Sequence, residues 1–505
     1  MCKGILEYIE NSAIKYPDKI AFCDNNSSIS FGDLRQKARA LGSEIAKFNK
    51  RNTPYIVYID KSVECIIAMF GIVYSGNFYT VIDVNMPESR VESICETLRP
   101  AGVITLKPQV VPDVLKNLDT FILDDCLCEE DNDVLNRIDD SRTDADALYV
   151  LFTSGSTGVP KGAIVTHRNV LAYTDWVCNT FGINEKTVFG SQAPFYFSMS
   201  VTDVFSTLKS GATLIILPKS LFAFPVALLK FMKEHDVNTI YWVPSALGII
   251  ANWKALDYES VPSLEKVMFA GESMPVKYLN YWMKHFPDAS FSNLFGPTET
   301  TDICTYYTVN RQFSDDESLP IGKHCDNCDV FIINDSGCEA APGEEGELYV
   351  RGSFVIPGYY NNPKKTSESF VQNPLNHSYP EIVYKTGDIV KYNDLGELLY
   401  IGRKDFQIKR MGYRIELGEI EAAANTIEDI REVCCVYDSD CQKIVLCCEC
   451  SDELNKEDIK SIIGSKVPGY MVPDVIVTVY SICHNANGKI DRKYIIKNYK
   501  EYIKE

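Results

Sequence analysis

Leu148-Tyr149-Val150-Leu151-Phe152 runs directly into Thr153-Ser154-Gly155-Ser156-Thr157-Gly158-Val159-Pro160-Lys161-Gly162. A strand that opens into hydroxyls, glycines and one lysine carries the chemistry that polyphosphate binding needs. Glycines let backbone N–H groups approach the anion, hydroxyls donate, and the ammonium neutralises charge. The segment is not a Walker loop. Counted from Gly155, the pattern G-x-x-x-x-G-K-[ST] requires glycine where Pro160 stands and Ser or Thr where Gly162 stands. The other reading is a flexible polar turn, which gives no reason for these ten residues to occur in this order.

Five more segments follow the same logic: Gly76, Tyr79, Asp83 and Pro87; Asn293-Leu294-Phe295-Gly296-Pro297-Thr298-Glu299-Thr300-Thr301; Tyr384-Lys385-Thr386-Gly387-Asp388; Gly402 to Glu421; and Asn487-Gly488-Lys489. With the loop at Thr153, they resemble in order the motifs of the adenylate-forming superfamily. That superfamily includes acyl-CoA synthetases, luciferases and the adenylation domains of nonribosomal peptide synthetases. Thr174-Asp175-Trp176 and Gln192-Ala193-Pro194-Phe195 resemble most the stand-alone amino-acid adenylation enzymes, the D-alanine:carrier-protein ligases among them.

The resemblance implies one reaction. A carboxylate attacks the α-phosphorus of ATP, pyrophosphate leaves and an acyl adenylate remains. Carried over residue by residue, it gives the β- and γ-phosphates to Thr153, Ser154, Gly155, Ser156, Thr157, Gly158 and Lys161. Gly271, Glu272, Asn293, Phe295 and Gly296 line the adenine, with Phe295 suited to stacking on it. Asp388 receives the ribose hydroxyls with Arg403 in support, Thr298 meets an α-phosphate oxygen, and Glu299 is the Mg²⁺ ligand, a hard cation that prefers oxygen donors. Lys489 is the catalytic cation between carboxylate and α-phosphate, although a lysine in a polar turn is otherwise ordinary solvated surface. A second half-reaction is implied by the family alone. A small domain swings about Asp405 and brings the segment around Gly412 to a pantetheine thiol, which attacks the adenylate to form a thioester; an ordinary turn glycine is the other reading of Gly412. The acceptor is the pantetheine of a carrier protein in trans, with coenzyme A as the alternative.

Amino-acid-activating relatives place an aspartate after the aromatic of the motif that begins at Phe195, where it pairs with the α-ammonium. This chain reads Phe195-Tyr196-Phe197-Ser198. A buried ammonium deprived of its carboxylate loses on the order of 3–5 kcal/mol, of which a hydroxyl restores only part. The other positions resembling the acyl pocket are Phe197, Met199, Thr202, Tyr241, Met268, Ala270, Leu294, Asp302 and Ile303. Asp302 is the one acidic residue among them and suits a hydroxyl or a displaced amine. The expected substrate is therefore a small carboxylic acid without a conventional α-amino group: an aryl, hydroxy or β-/ω-amino acid. The alternatives are an ordinary α-amino acid such as D-alanine, and an acyl-CoA synthetase reaction.

These residues need a frame to hold them. Leu34, Ala38, Leu41, Ile45 and Phe48 recur at three and four, so Phe31 to Phe48 reads as an amphipathic helix with Ser30 as N-cap. Short apolar runs alternate with such helices: Tyr55 to Ile59, Ala212 to Leu217 and Lys266 to Ala270. Alternation of this kind predicts parallel doubly wound α/β sheets. From Gly322 the texture changes to short strands and turns, a β-rich subdomain. A small, mobile α+β domain follows, giving expected domains of 1–404 and 405–505. No carrier domain is expected within them.

The 505 residues carry 50 basic and 69 acidic side chains, a net charge of −19 that excludes a nucleic-acid footprint or an anionic-membrane surface. The N-terminus has no apolar h-region and no run approaches 18 apolar residues, so the expected location is the cytoplasm. Cysteine is abundant, at 18 residues, without the spacing of a disulfide scaffold. Cys325/Cys328, Cys126/Cys128 and Cys447, Cys448, Cys450 invite a metal reading. Zinc needs four converging ligands, however, and His324 is the only nearby histidine, so small buried hydrophobes are the expected role.

Overall fold

The computed structural model describes residues 3–107, 110–127, 129–155, 159–315, 317–450, 454–484 and 490–501. Ser156, Thr157, Gly158 and Lys489 lie outside the described residues. The chain divides into two compact units. The first comprises Met1–Val84, Arg99–Leu151 and Gly162–Lys404; the second comprises Asn85–Leu98, Phe152–Lys161 and Asp405–Glu505.

In the first unit the anticipated helix runs Phe31–Ala46, with the Ser30 hydroxyl accepting from the Asp33 N–H at 3.1 Å. Leu34, Ala38, Leu41 and Ile45 are buried, whereas Phe48 is exposed. The helix ends before Phe48 because Asn49 turns into the left-handed region at φ 52°. Lys266–Ala270 forms a strand over the expected residues, and the other two runs give shorter strands, Pro54–Val57 and Thr213–Ile216.

Six strands lie side by side in parallel: Ile20–Cys23, Thr213–Ile216, Val188–Ser191, Thr239–Trp242, Lys266–Ala270 and Ser290–Phe295. Antiparallel strands at both edges extend this sheet to nine. A second, seven-stranded sheet places Ala147–Thr153, Phe78–Val81, Pro54–Val57, Gly102–Thr105 and Asp119–Ile122 in parallel succession. Parallel pairing requires crossovers, which the intervening helices supply. Strands covered on both faces therefore read as unbroken apolar runs, as the fully buried Pro54–Val57 does. After Gly322 comes the expected β-rich part, an antiparallel five-stranded sheet of Cys328–Ile333, Gly346–Gly352, Phe370–Gln372, Ile382–Tyr392 and Leu398–Arg403. Cys325 and Cys328 are 0% and 3% exposed within the apolar core, the place a small hydrophobe takes. No described helix is long and apolar enough to cross a membrane.

His167 shows how the first unit fastens its N-terminal segment. Its Nδ1 accepts the Ile5 N–H at 3.1 Å, which fixes the neutral ring with its proton on Nε2. Burial, with Arg142 adding to it, pushes this histidine from 6.5 down to about 3. The unfolded chain therefore binds a proton that the folded chain refuses between those values, and stability is lost as pH falls below 6.5. Thermal unfolding should report a loss of about 2 kcal/mol from this group between pH 7 and pH 5. His167→Gln should flatten that part of the pH dependence; a variant with the unaltered pH slope would contradict the assignment.

The second unit holds a hairpin, Gln407–Arg410 with Tyr413–Glu416, and a three-stranded sheet of Ile430–Asp438, Lys443–Cys450 and Val475–Val479. The helices Leu417–Ala424, Lys456–Gly464 and Arg492–Asn498 accompany them, giving the expected α+β composition. Cys447, Cys448 and Cys450 are buried in its apolar clusters.

Candidate active site

In the first unit, strand register pairs Asp388 with Arg403, the residues expected at the ribose. Strands Ile382–Tyr392 and Leu398–Arg403 pair antiparallel with Asp388 opposite Arg403. Arg403 Nη1 donates to Asp388 Oδ1 at 3.0 Å and to the Thr386 carbonyl at 2.8 Å. A carboxylate bound by one guanidinium in this way keeps lone pairs for further hydroxyl donors. The Phe295 ring is buried against Tyr400, with centroids 5.7 Å apart. Asn293 Nδ2 donates to the Pro320 carbonyl at 2.8 Å. Glu272, which follows Gly271 at the end of strand Lys266–Ala270, accepts the Ser245 N–H at 2.9 Å and so caps the helix Pro244–Asn252. Gly296 has a packing reason for its identity, because a Cβ there would collide with the backbone of Asp302 and Ile303.

Glu299 is fully buried, and its Oε1 accepts the Tyr359 hydroxyl at 2.6 Å. Tyr359 gave no signal in the sequence, since a tyrosine sixty positions away becomes a partner only through the fold. Mg²⁺ commonly binds through one or two carboxylates plus phosphate oxygens, and a single buried glutamate is a donor of the right kind for it.

Of the positions expected to line the acid, Thr202 and Tyr241 meet Asp302. Three elements deliver hydroxyls to its Oδ2: Tyr173 of the helix His167–Phe181 at 3.0 Å, Tyr241 of the strand Thr239–Trp242 at 3.0 Å, and Thr202 of the helix Ser200–Ser210 at 3.2 Å. Ser198 lies near enough to act on the same carboxylate, and Thr298 Oγ1 reaches Ser198 Oγ at 3.5 Å. The parallel register sets Tyr241 beside Met268 and Ala270 beside Leu294, so four of the expected positions lie side by side on adjoining strands. Met199 and Ile303, buried neighbours of Ser198 and Asp302, adjoin the cluster, and the Phe197 ring packs edge-on to Tyr196.

Asp302 is aimed by strain. Thr301 has φ 70° and ψ −54°, and the Asp302 N–H reaches back to the Thr300 carbonyl at 2.8 Å. This is a γ-turn of the rare hand, costly for a β-branched residue, and it persists because the Thr301 hydroxyl is held by the Phe354 carbonyl at 2.8 Å. Asp302 itself is 2% exposed. Burial pushes its carboxyl up from 3.8 to about 6, with Tyr241, Tyr173, Ser198 and Thr202 opposing the rise. At neutral pH it is a buried anion, and its described hydrogen-bond partners are all neutral hydroxyls. Such an anion can accept a cation or a hydrogen-bond donor. Tyr173 escaped the sequence reading because nothing in a helix pattern separates an aromatic facing a pocket from one facing a core.

Within the second unit, the described loop residues meet side chains that follow Asp405. Lys161 Nζ lies 3.5 Å from Glu416 Oε1, Ser154 Oγ donates to the Arg414 carbonyl at 2.8 Å, and the Gly155 N–H donates to Glu419 Oε2 at 3.2 Å. Arg90 pairs with the same Glu419. Thr153 Oγ1 reaches the Lys161 carbonyl at 3.5 Å, closing the base of the loop. Asp405 Oδ1 accepts the Gln407 N–H at 3.3 Å. Met411 and Gly412, at φ 51° and 79°, form the two-residue turn of the hairpin. A turn with both central residues left-handed calls for glycine on its own account.

The family model described as AMP-binding enzyme matches residues 9–360. The D-alanine--D-alanyl carrier protein ligase of Bacillus velezensis is 31% identical over 503 residues, covering 97% of this chain and 98% of that protein. The L-proline--[L-prolyl-carrier protein] ligase of Pseudomonas fluorescens is 30% identical, with 97% and 98% covered. Among solved structures, the Vibrio cholerae adenylation domain AlmE in complex with glycyl-adenosine-5'-phosphate superposes with a TM-score of 0.84 at 20% identity, covering 99% of this chain and 98% of that one, a likeness of fold. These matches establish that the chain belongs to the AMP-binding enzyme family, the adenylate-forming ligases.

Proposed function

We propose that the protein activates a small amino-bearing carboxylic acid as its acyl adenylate and transfers the acyl group to the pantetheine thiol of a carrier protein. In the first half-reaction a carboxylate oxygen attacks the α-phosphorus and the bond to the pyrophosphate oxygen breaks. In the second the thiol sulfur attacks the acyl carbon, its proton is lost and AMP leaves. Asp388 orients the ribose, Thr298 donates to the α-phosphate, the loop Thr153 to Lys161 binds the leaving pyrophosphate, and Lys489 neutralises charge between the reacting groups. Glu299 would hold Mg²⁺, which supplies charge neutralisation on the phosphates. Domains 1–404 and 405–505 act as the binding core and the moving part, with Asp405 as hinge and Gly412 beside the pantetheine arm. The carrier acceptor is supported by relatives matched over 97–98% of the chain whose names specify a carrier protein.

The observation that carries the substrate reading is the hydroxyl-caged Asp302 in a cluster where Ser198 occupies the α-ammonium position. Asp302 meets Thr202 and Tyr241, side chains of the pocket, so its carboxylate suits an amine remote from the reacting carboxyl group. Among acids without a conventional α-amino group, a β- or ω-amino acid uses that charge; an aryl or hydroxy acid would leave it without a cation. The second reading is D-alanine or a similar α-amino acid, favoured by the names of relatives at 29–31% identity. ATP–pyrophosphate exchange with glycine, both alanines, β-alanine, γ-aminobutyrate, an aminobenzoate and a hydroxy acid distinguishes the two. The expected result is fastest exchange with an acid bearing a remote amine, and fastest exchange with D-alanine would defeat it. Thioester formation on a carrier but not on free coenzyme A is expected in the second assay.

A further inference from the structure

A second buried charge network lies in the first unit, apart from Asp302, and the reaction as derived makes no use of it. Lys61 Nζ donates to the Ser191 carbonyl at 3.0 Å and to Ser191 Oγ at 2.9 Å. It also lies 5.2 Å from the centroid of the Phe195 ring. Ser191 is fully buried, and Asp203, which is 2% exposed, is near enough for its carboxylate to act on the Lys61 ammonium. Lys61 as a residue is half-buried, but its ammonium is enclosed. The three groups join a loop residue ahead of the helix Val63–Tyr74, the end of the strand Val188–Ser191 and the first turn of the helix Ser200–Ser210.

What they bracket is informative. Ser191 and Asp203 stand at the two ends of the stretch that carries Phe195, Phe197, Ser198, Met199 and Thr202; Lys61 bonds Ser191 at the first end, lies against the Phe195 ring, and feels the charge of Asp203 at the second. Desolvating an ammonium and a carboxylate is costly, and replacing such a set by apolar side chains is often neutral for stability. A cation at this place is therefore better explained by geometric specification than by stability.

We propose that Lys61 is a positioning residue for substrate choice: through Ser191 and Asp203 it sets the path of residues 192–202 and thereby the placement of Ser198 and Thr202 against the acid. The inference rests on the reading that this stretch lines the acid pocket. It involves none of the nucleotide-binding residues, so it separates the two substrates. Losing the ammonium disturbs the acid and leaves ATP alone.

The charges facing Lys61 set the expected pH behaviour. Burial lowers the ammonium to about 8, and Asp203, Cys65 and Asp60 oppose the fall. Burial raises Asp203 to about 6, opposed first by Lys61, so it is ionised throughout the alkaline range. Burial pushes the Cys65 thiol far above its usual value, so it stays neutral. The group that changes charge between pH 7 and pH 9 is Lys61.

The test is steady-state kinetics on the full chain with the best acid from the exchange panel. Lys61→Met should raise KM for the acid about tenfold while KM for ATP stays within about twofold, and Lys61→Arg should recover most of the loss. In the parent enzyme KM for the acid should climb from pH 7 to pH 9. Lys61→Arg, which keeps its charge, should flatten that climb. Equal shifts in both KM values, or a Lys61→Arg profile superimposable on the parent's, would overturn the proposal. Should Lys61→Met fail to fold, the Lys61→Arg profile decides alone. Asp302→Asn serves as the control on the underlying reading: if it also leaves KM for the acid untouched, the pocket assignment is wrong. If it raises KM for the acid while the Lys61 variants do not, only the positioning role falls.

Discussion

Lys489→Ala lowers the rate of ATP–pyrophosphate exchange by roughly 10²–10³-fold, the effect expected when a donor worth about 3–4 kcal/mol in the transition state is removed. ATP binding, followed by calorimetry, stays within a few-fold of the parent. The two readouts part because of the charges involved. An acid carboxylate and an α-phosphate repel one another, and the repulsion grows as they approach bonding distance. A point cation between them acts most strongly at the transition state, while the adenine, ribose and outer phosphates have their own partners. Lys489→Arg restores little, because a planar guanidinium cannot take the place of a compact ammonium at a single point. Exchange that survives the alanine substitution would remove Lys489 from the chemistry.

That prediction comes from the sequence, since Lys489 lies outside the described residues, and it marks what kinds of feature a sequence displays. The loop at Thr153, the Tyr384 to Asp388 segment and the Asn487-Gly488-Lys489 run are contiguous, and contiguous chemistry is legible without a fold. That Arg403 supports Asp388 follows from the resemblance; the means, an antiparallel register that sets the two opposite each other, comes from two strands meeting. The same holds for the parallel sheets, which local apolar runs announce while leaving their order open. What stayed hidden depends on separate elements meeting. Tyr173, Thr202 and Tyr241 come from two helices and a strand and share an oxygen of Asp302. The strained turn at Thr301 that aims this aspartate has no signature, because threonine is a poor choice for a left-handed residue and no pattern rule would select it. Lys61, in the loop ahead of the helix Val63–Tyr74, carries no pattern of its own until Ser191 meets its ammonium.

Asp302→Asn should cut kcat/KM for an acid with a remote amine by roughly 10²–10³-fold, the consequence of leaving a buried ammonium without its anion at about 3–5 kcal/mol. Its thermal stability should hold or rise, because Tyr173, Tyr241 and Thr202 can still donate to the amide oxygen while a carboxylate no longer has to be buried without a cation. Loss of activity with stability retained is the signature of a group kept for substrate rather than for folding. The pH dependence has a defined direction. Burial raises this carboxyl to about 6, so the anion is present above that value and disappears below it. Apparent affinity of the free parent enzyme for the amino acid should therefore fall as pH drops through 6, and Asp302→Asn should lack that limb. Ser198 supplies the converse experiment. Ser198→Asp combined with Asp302→Asn returns the anion to the position that amino-acid-activating relatives use and withdraws it from the cluster with Thr202 and Tyr241. The double variant should shift exchange from remote amines toward α-amino acids, D-alanine included, whereas Ser198→Asp alone places two carboxylates in one buried cluster and should lose activity toward both classes. A double variant that keeps the parent's preference would mean that Asp302 does not read the amine, and the substrate would have to be sought among acids that carry none.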